Sequence, residues 1–294
     1  MDGHDERPIV VGVDASDSAR VAADWAADLA AVWGAPLHLL HTVPDTQVPS
    51  VAALAWLREL SDAAERSGAG PSRVEMIPGA TIDLLADRAA SAGMLVLGSY
   101  GEGAWSGMLA GTAALALAGH VPCPVAVIRG AEPTLAPPPG GPVVVGVDGS
   151  AASHEALLFA ADLAASLGAR LVVVHAWSDV SAEHGLHRRS EDQAELVAQG
   201  RALLDEETRA VTELQPGLAV ADELANDTVL SALLDRAHRA RMVVVGHRGV
   251  PARGMGLGST SRALVGFAPC PVVVTPPVPV VSARGGPGVA EPAR

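Results

Sequence analysis

The feature that most constrains this chain is that its sequence is written twice. PIVVGVDASDSA at 8–19 returns as PVVVGVDGSAAS at 142–153, and LHLLHTVPD at 37–45 returns as LVVVHAWSD at 171–179. LLADRAASAGMLVLGSYG at 84–101 returns as ALLDRAHRARMVVVGHRG at 232–249, and HVPCPVAVI at 120–128 as FAPCPVVVT at 267–275. Asp14 and Asp148 lie 134 positions apart, as do His41 and His175; Gly98 and Gly246 are separated by 148, and Cys123 and Cys270 by 147. Order and spacing therefore survive, with fourteen residues gained in the middle of the second copy and one lost after its glycine-rich loop. Such a chain folds as two like units, each large enough to bury a core of its own.

The punctuation between the copies sets the expected boundaries. The first unit is expected over 1–130 and the second over 142–276, joined by a Pro/Gly-rich linker at 131–141 that supports neither helix nor central strand. The composition of 277–294 predicts a disordered tail. Within each unit, short continuous apolar runs (IVVGV, LHLLHTV, MLVLG) alternate with amphipathic stretches such as ARVAADWAADLAAVWG. Continuous apolar runs are the mark of parallel strands covered on both faces, and strand–helix alternation yields right-handed crossovers. The fold class is therefore α/β, doubly wound, with five strands per unit; in the first they are expected at 9–13, 37–42, 73–77, 94–98 and 124–128. Ser16 and Ser150 stand where helices should start, and Gly34 and Gly168 where they should end. Ligands of such sheets bind at the carboxyl ends of the strands, at the topological switch point.

Composition removes several functions. The 20 basic residues are all arginine, so neither a P-loop lysine nor Schiff-base chemistry is available. A net charge of −13 argues against binding nucleic acid, which needs clustered cations. Two cysteines, each in a Pro-Cys-Pro-Val stretch, read as buried thiols rather than a disulfide framework. The uncharged run 103–128 is interrupted by Gly and Pro and has a charged counterpart in the second copy, so no membrane span is expected. The acidic start MDGHDERP is unlike a signal peptide, and a cytoplasmic location is expected.

Glycine-rich GSYGEGAWSGMLAGT, 98–112, joins the fourth strand to a helix expected near Gly111. A loop of this kind presents backbone N–H groups without side chains in the way, and a helix N-terminus adds about half a positive charge. Such a loop can serve as an anion cradle that needs no lysine, with the Thr112 hydroxyl at its mouth; a flexible surface turn is the plainer alternative, against which the similar loop GHRGVPARGMGLGST recurs at 246–260. Asp14 and Asp148 close the first strand of each unit, across the cleft, where a carboxylate can hold a ribose hydroxyl or a magnesium ion shared with phosphates. A capping aspartate at a strand-to-helix turn is the plainer alternative.

Gly98, Gly101 and, after nine residues, Gly111-Thr112 form a G-x2-G-x9-G-[ST] pattern. With the VGVD opening and the CPV before the last strand, the chain resembles the ATP-binding universal stress proteins over nearly all of 8–275. The resemblance implies two Rossmann-like, adenine nucleotide alpha hydrolase-like domains, each a five-stranded parallel sheet of order 3-2-1-4-5 with helices on both faces. It implies one ATP site per domain, with Mg2+. By position, Gly12 and Asp14 would approach adenosine and the metal. Gly98, Ser99, Gly101, Glu102, Gly103, Ala104, Gly111, Thr112 and Ala113 would surround ribose and phosphates. In the second unit the matches are Gly146, Asp148 (again metal), Gly246, His247, Arg248, Gly249, Val250, Pro251, Ala252, Gly258, Ser259 and Thr260. The turns His41–Thr42–Val43 and His175–Ala176–Trp177 would contact adenine, with Asp45 and Asp179 nearby. The second loop departs from the pattern: eight residues, not nine, separate Gly249 from Gly258-Ser259.

The function this implies is a nucleotide-dependent regulatory or stress-response module with an unidentified protein partner and no assigned catalytic residue. A slow ATPase or other nucleotide-processing enzyme, and a scaffold with vestigial sites, are the alternatives. Association through the last strands, 124–128 and 271–275, is expected, since an uncharged run such as PVVVT is hazardous as a bare edge; pairing the two units within one chain would cover both edges, and the family resemblance implies further homodimerisation. His184 and His187 form an HxxH in the polar insertion and read as a solvated loop.

Overall fold

The computed structural model describes residues 7–44, 51–101, 111–130, 137–177, 190–249 and 256–278. The first unit runs β1 (Ile9–Gly12), α1 (Asp17–Trp33), β2 (Leu37–Val43), α2 (Val51–Arg66), β3 (Ser72–Pro78), α3 (Thr81–Ala89), β4 (Met94–Gly98), α4 (Thr112–Leu117) and β5 (Val125–Ile128). The second repeats it as β6 (Val143–Gly146), α5 (Ala151–Ser166), β7 (Leu171–Trp177), α6 (Ser190–Leu214), β8 (Val220–Asn226), α7 (Val229–Ala237), β9 (Met242–Gly246), α8 (Ser259–Phe267) and β10 (Val272–Thr275). The strands form one ten-stranded sheet of order β3-β2-β1-β4-β5-β10-β9-β6-β7-β8. Each half is thus the expected 3-2-1-4-5 arrangement, parallel throughout, and β1 and β6 stand at the switch points.

Local signals explain the elements. The Ser16 hydroxyl accepts the Ala19 N–H to start α1, and Gly34, at φ +66°, ends it in the left-handed region. Ser150 starts α5 in the same way by accepting from Ser153. The buried face of α1 is mostly alanine, which lets the helix lie close on the sheet. Gly98 is the companion of that closeness: a Cβ there would stand 2.6 Å from the Ser18 hydroxyl oxygen and 2.9 Å from its carbonyl carbon. At Gly246 a Cβ would meet the Ala152 carbonyl oxygen at 2.8 Å. These two glycines therefore hold the first turn of a helix against the end of a strand.

The halves join at β5 and β10, which run antiparallel with Val272 opposite Val127, Val273 opposite Ala126 and Val274 opposite Val125. All six side chains are buried. Off the sheet, the Trp33 indole N–H donates to the Ser166 hydroxyl at 3.1 Å, and the Arg129 guanidinium donates to the Val265 and Gly266 carbonyls. This corrects the expected homodimer contact. Each last strand has a neighbour on both sides, β4 and β10 for β5, β5 and β9 for β10, so no edge is left there for a second chain. A tandem chain holds its own two last strands at high effective concentration, and the intramolecular pairing forms first. The outer edges are β3 and β8; on β3, Arg73 and Glu75 place charge along the edge. Among the described residues no helix is long and apolar enough to cross a membrane.

Candidate functional site

Both glycine loops rise from the carboxyl end of the fourth strand of their unit, beside the first strand. In the second unit this places a cavity of about 560 Å³ at the switch point. Gly146, Val147, Val245 and Gly246 form its base, and Asp148, Arg248 and Gly249 flank it. Leu257, Gly258, Ser259, Thr260 and Ser261 close one side at the start of α8, and Ala176, Val229 and Leu233 the other. The size is that of a small-molecule site, with an apolar base and a few polar groups on one rim.

The polar rim is built locally. The Asp148 carboxylate accepts from the Ser150 N–H at 3.0 Å and its hydroxyl at 2.6 Å, which fixes one oxygen at the βα turn. The carboxylate faces Gly249 so closely that a Cβ there would collide with it. In the first unit Asp14 accepts from the Ser16 N–H at 3.0 Å and its hydroxyl at 2.5 Å, and a Gly101 Cβ would lie 2.9 Å from Asp14 Oδ2. Both aspartates therefore act as turn caps, and both face the glycine loop.

The shortened second loop keeps its glycine. The Gly111 N–H donates to the Ser99 carbonyl at 2.6 Å, and the Gly258 N–H donates to the His247 carbonyl at 2.8 Å. Gly258 is the N-cap of α8 as Gly111 is of α4, and neither helix start carries a side-chain cap. The missing residue is thus absorbed before Gly258, and Ser259 and Thr260 open the helix where Thr112 and Ala113 do in the first unit. A glycine N-cap supplies no side-chain acceptor to the first helical amides, which leaves them open to water or an anion.

Not every expected residue joins the cavity. The residues expected in turns after the second strand instead end the strands themselves, His41–Val43 in β2 and His175–Trp177 in β7, and of the latter three only Ala176 lines the cavity. The His175 ring lies on the opposite face, where a Cβ on Gly200 of α6 would stand 3.0 Å from it, and Trp177 shares that parity. His41 likewise meets Trp56 of α2 edge-on, with ring centroids 5.8 Å apart. Both imidazoles bond through Nδ1 to the carbonyl after the first strand, Val13 and Val147, at 2.8 Å. They brace β1 to β2 and β6 to β7. Thr42, between His41 and buried Val43, points the other way and bonds the Thr81 hydroxyl at 2.6 Å. Gly12 and Gly146 give room to Leu85 and Leu233: a Cβ would lie 3.1 Å and 3.0 Å from their side chains.

Val229 and Leu233 were not singled out from the sequence. Their signal is an apolar i, i+4 pair at the start of the helix that covers the switch point. Glu102, Gly103, Ala104, Asp45, Asp179, Val250, Pro251 and Ala252, with His184 and His187, lie outside the described residues. Among the described residues no three His, Cys, Asp or Glu side chains gather as a metal cluster.

Two Rossmann-like halves with a glycine loop at each switch point match the model of the universal stress protein family, at residues 6–129 and 141–276. The chain belongs to the universal stress protein family. Universal stress proteins of similar length exist in Mycobacterium tuberculosis strain H37Rv. One is 32% identical over 293 residues, covering 92% of this chain and 97% of its own. Another is 33% identical over 298 residues, covering 90% and 94%. The crystal structure of a universal stress protein from Archaeoglobus fulgidus superposes with a TM-score of 0.69 at 18% identity, covering 92% of this chain and 98% of that one, and shares the fold.

Proposed function

We propose that this universal stress protein binds ATP with magnesium, one nucleotide per unit, and that occupancy of these sites regulates a partner protein. One observation carries the reading: a cavity of about 560 Å³ with an apolar base lies between an uncapped, glycine-led helix start and a carboxylate fixed at the opposite strand end. The donor set fits the group. Ser259 and Thr260 supply hydroxyls and amides, Arg248 a guanidinium, and the glycines leave room for phosphate oxygens. Apolar Val229, Leu233 and Ala176 suit a flat heterocycle on the other side.

Magnesium, when bound, would neutralise phosphate charge. Asp14 would hold the ion of the first unit and Asp148 that of the second, each through one carboxylate. A homodimer, if the chain forms one, uses a surface other than β5 and β10. The unit boundaries near 130 and 142 and a cytoplasmic location belong to the same reading.

Calorimetry on nucleotide-stripped, folded protein tests it: Mg-ATP should bind at two sites per chain. Absence of heat with Mg-ATP overturns the proposal. Mass spectrometry of ligands released on denaturing the purified protein identifies the nucleotide it retains.

A further inference from the structure

The second unit's glycine loop is not walled by its own unit alone. After α4, Gly119 adopts φ +73°, and a Cβ there would stand 2.9 Å from the His247 Cβ and 3.4 Å from Leu257. The neighbouring His120 ring lies against Gly256: a Cβ on that glycine would be 3.5 Å from its Nε2 and 3.6 Å from its Cε1. Gly119 and His120 belong to the first unit; His247, Gly256 and Leu257 belong to the loop that leads into Gly258. The loop therefore touches the other unit on both sides of its turn.

His247 is the joint. Its carbonyl accepts the Gly258 N–H, the bond that sets the N-cap of α8, while its Cβ is held against Gly119. Its Nδ1 is buried with no hydrogen-bond partner among the described residues. An unsatisfied buried nitrogen is costly, so the contact that keeps the ring there must repay it elsewhere. His120 is itself oriented by Nδ1 on the Ala118 carbonyl at 3.3 Å.

We propose that the second unit's nucleotide site is composite: Gly119 and His120 of the first unit are positioning residues that hold His247 and Gly256, and through them the Gly258 cradle. Among the described residues the relation is not repeated in the first unit. At the positions of His247 and His120 the repeat has Ser99 and Phe267, and Phe267 is 54% exposed. Neither the histidine joint nor the packed ring recurs at these two positions of the repeat. This inference rests on the nucleotide reading above, and its test separates the two.

The full chain carrying Gly111→Asp reports the second site by calorimetry with Mg-ATP, and the full chain carrying Gly258→Asp reports the first. Adding His120→Ala should weaken the second site about fivefold and leave the first unchanged, a magnitude ordinary for residues that act through a neighbour. Gly119→Ala, which would bring a Cβ to 2.9 Å from the His247 Cβ at a positive φ, should weaken it further. No change at the second site, or equal loss at both, overturns the proposal. Hydrogen exchange of the Gly258 amide in nucleotide-free protein gives a reading independent of binding. It should quicken in His120→Ala and Gly119→Ala, and an unchanged rate overturns the composite loop. If the wild-type chain binds no Mg-ATP, the nucleotide reading falls, and this exchange measurement still decides whether the first unit holds the loop.

Discussion

Asp148 and Gly249 meet at the rim of the second unit's cavity, and the space between them is too small for a single added carbon. The same pairing, slightly looser, joins Asp14 and Gly101. Gly249→Ala should therefore push the carboxylate out of place and lower Mg-ATP affinity at that site by about tenfold, the size of one misplaced charged contact. Circular dichroism should show an unchanged fold. An alanine variant that binds as tightly as wild type would remove Gly249 from the site.

Asp148→Asn distinguishes capping from metal binding. The asparagine oxygen still accepts from Ser150, so the βα turn should survive with a loss of stability of about 1 kcal/mol or less. The charge is gone, so the gain in ATP affinity on adding magnesium should shrink at this site. A magnesium dependence identical to wild type in the chain with only the second site intact would show that Asp148 holds no ion.

Val273 faces Ala126 at the seam between the units, and both are fully buried. Val273→Asp would place an unpaired charge there, at a cost of about 3 kcal/mol or more. Urea unfolding should show the loss, and it should affect both units, since the seam belongs to both.

Burial pushes the Cys123 thiol up to about 11 and the Cys270 thiol up to about 12. The reactive thiolate is then nearly absent at pH 8. Native protein should not react with an aromatic disulfide reagent at that pH on the time scale of minutes, whereas denatured protein should release two equivalents. Rapid reaction of native protein would show that the packing over the starts of β5 and β10 opens.

Two histidines make stability depend on pH in one direction. Burial, with Arg73 and Arg88 outweighing Glu75, holds His38 below the ordinary histidine range; burial, with Arg248 and His120, does the same for His247. Below pH 6.5, the ordinary value, the unfolded chain takes up protons that the folded chain resists. Stability from these groups is thus complete above that pH and is lost as pH falls toward the depressed values. His247→Gln should flatten the decline between pH 6.5 and 5 in chemical denaturation; an unaltered slope would contradict it.

Much of this was legible because the repeat printed each signal twice. The serine caps and the glycine N-caps of α4 and α8 follow from local chemistry that needs few distant contacts, whereas the strand order within each unit came from the family resemblance. The orientation of the second strand's end was harder. A strand turns successive side chains to opposite faces, so of His175, Ala176 and Trp177 only the middle one could face the cavity, and motif position alone did not say which. The contacts of His247 with Gly119 and of Arg129 with Gly266 were not visible at all. They depend on how the two units meet at β5 and β10, and no spacing within a unit encodes that.

Joining the two units in one chain also changes what evolution can do at the seam. Between identical subunits a twofold interface repeats every contact, so each substitution is suffered twice and must suit its own mirror image. Here the position that carries Arg129 in one unit carries Pro276 in the other, and only one guanidinium reaches across to the opposite helix end. A covalent pair is released from self-complementarity. One half can become the support of the other, and the two halves can drift toward separate duties while the sheet between them stays closed.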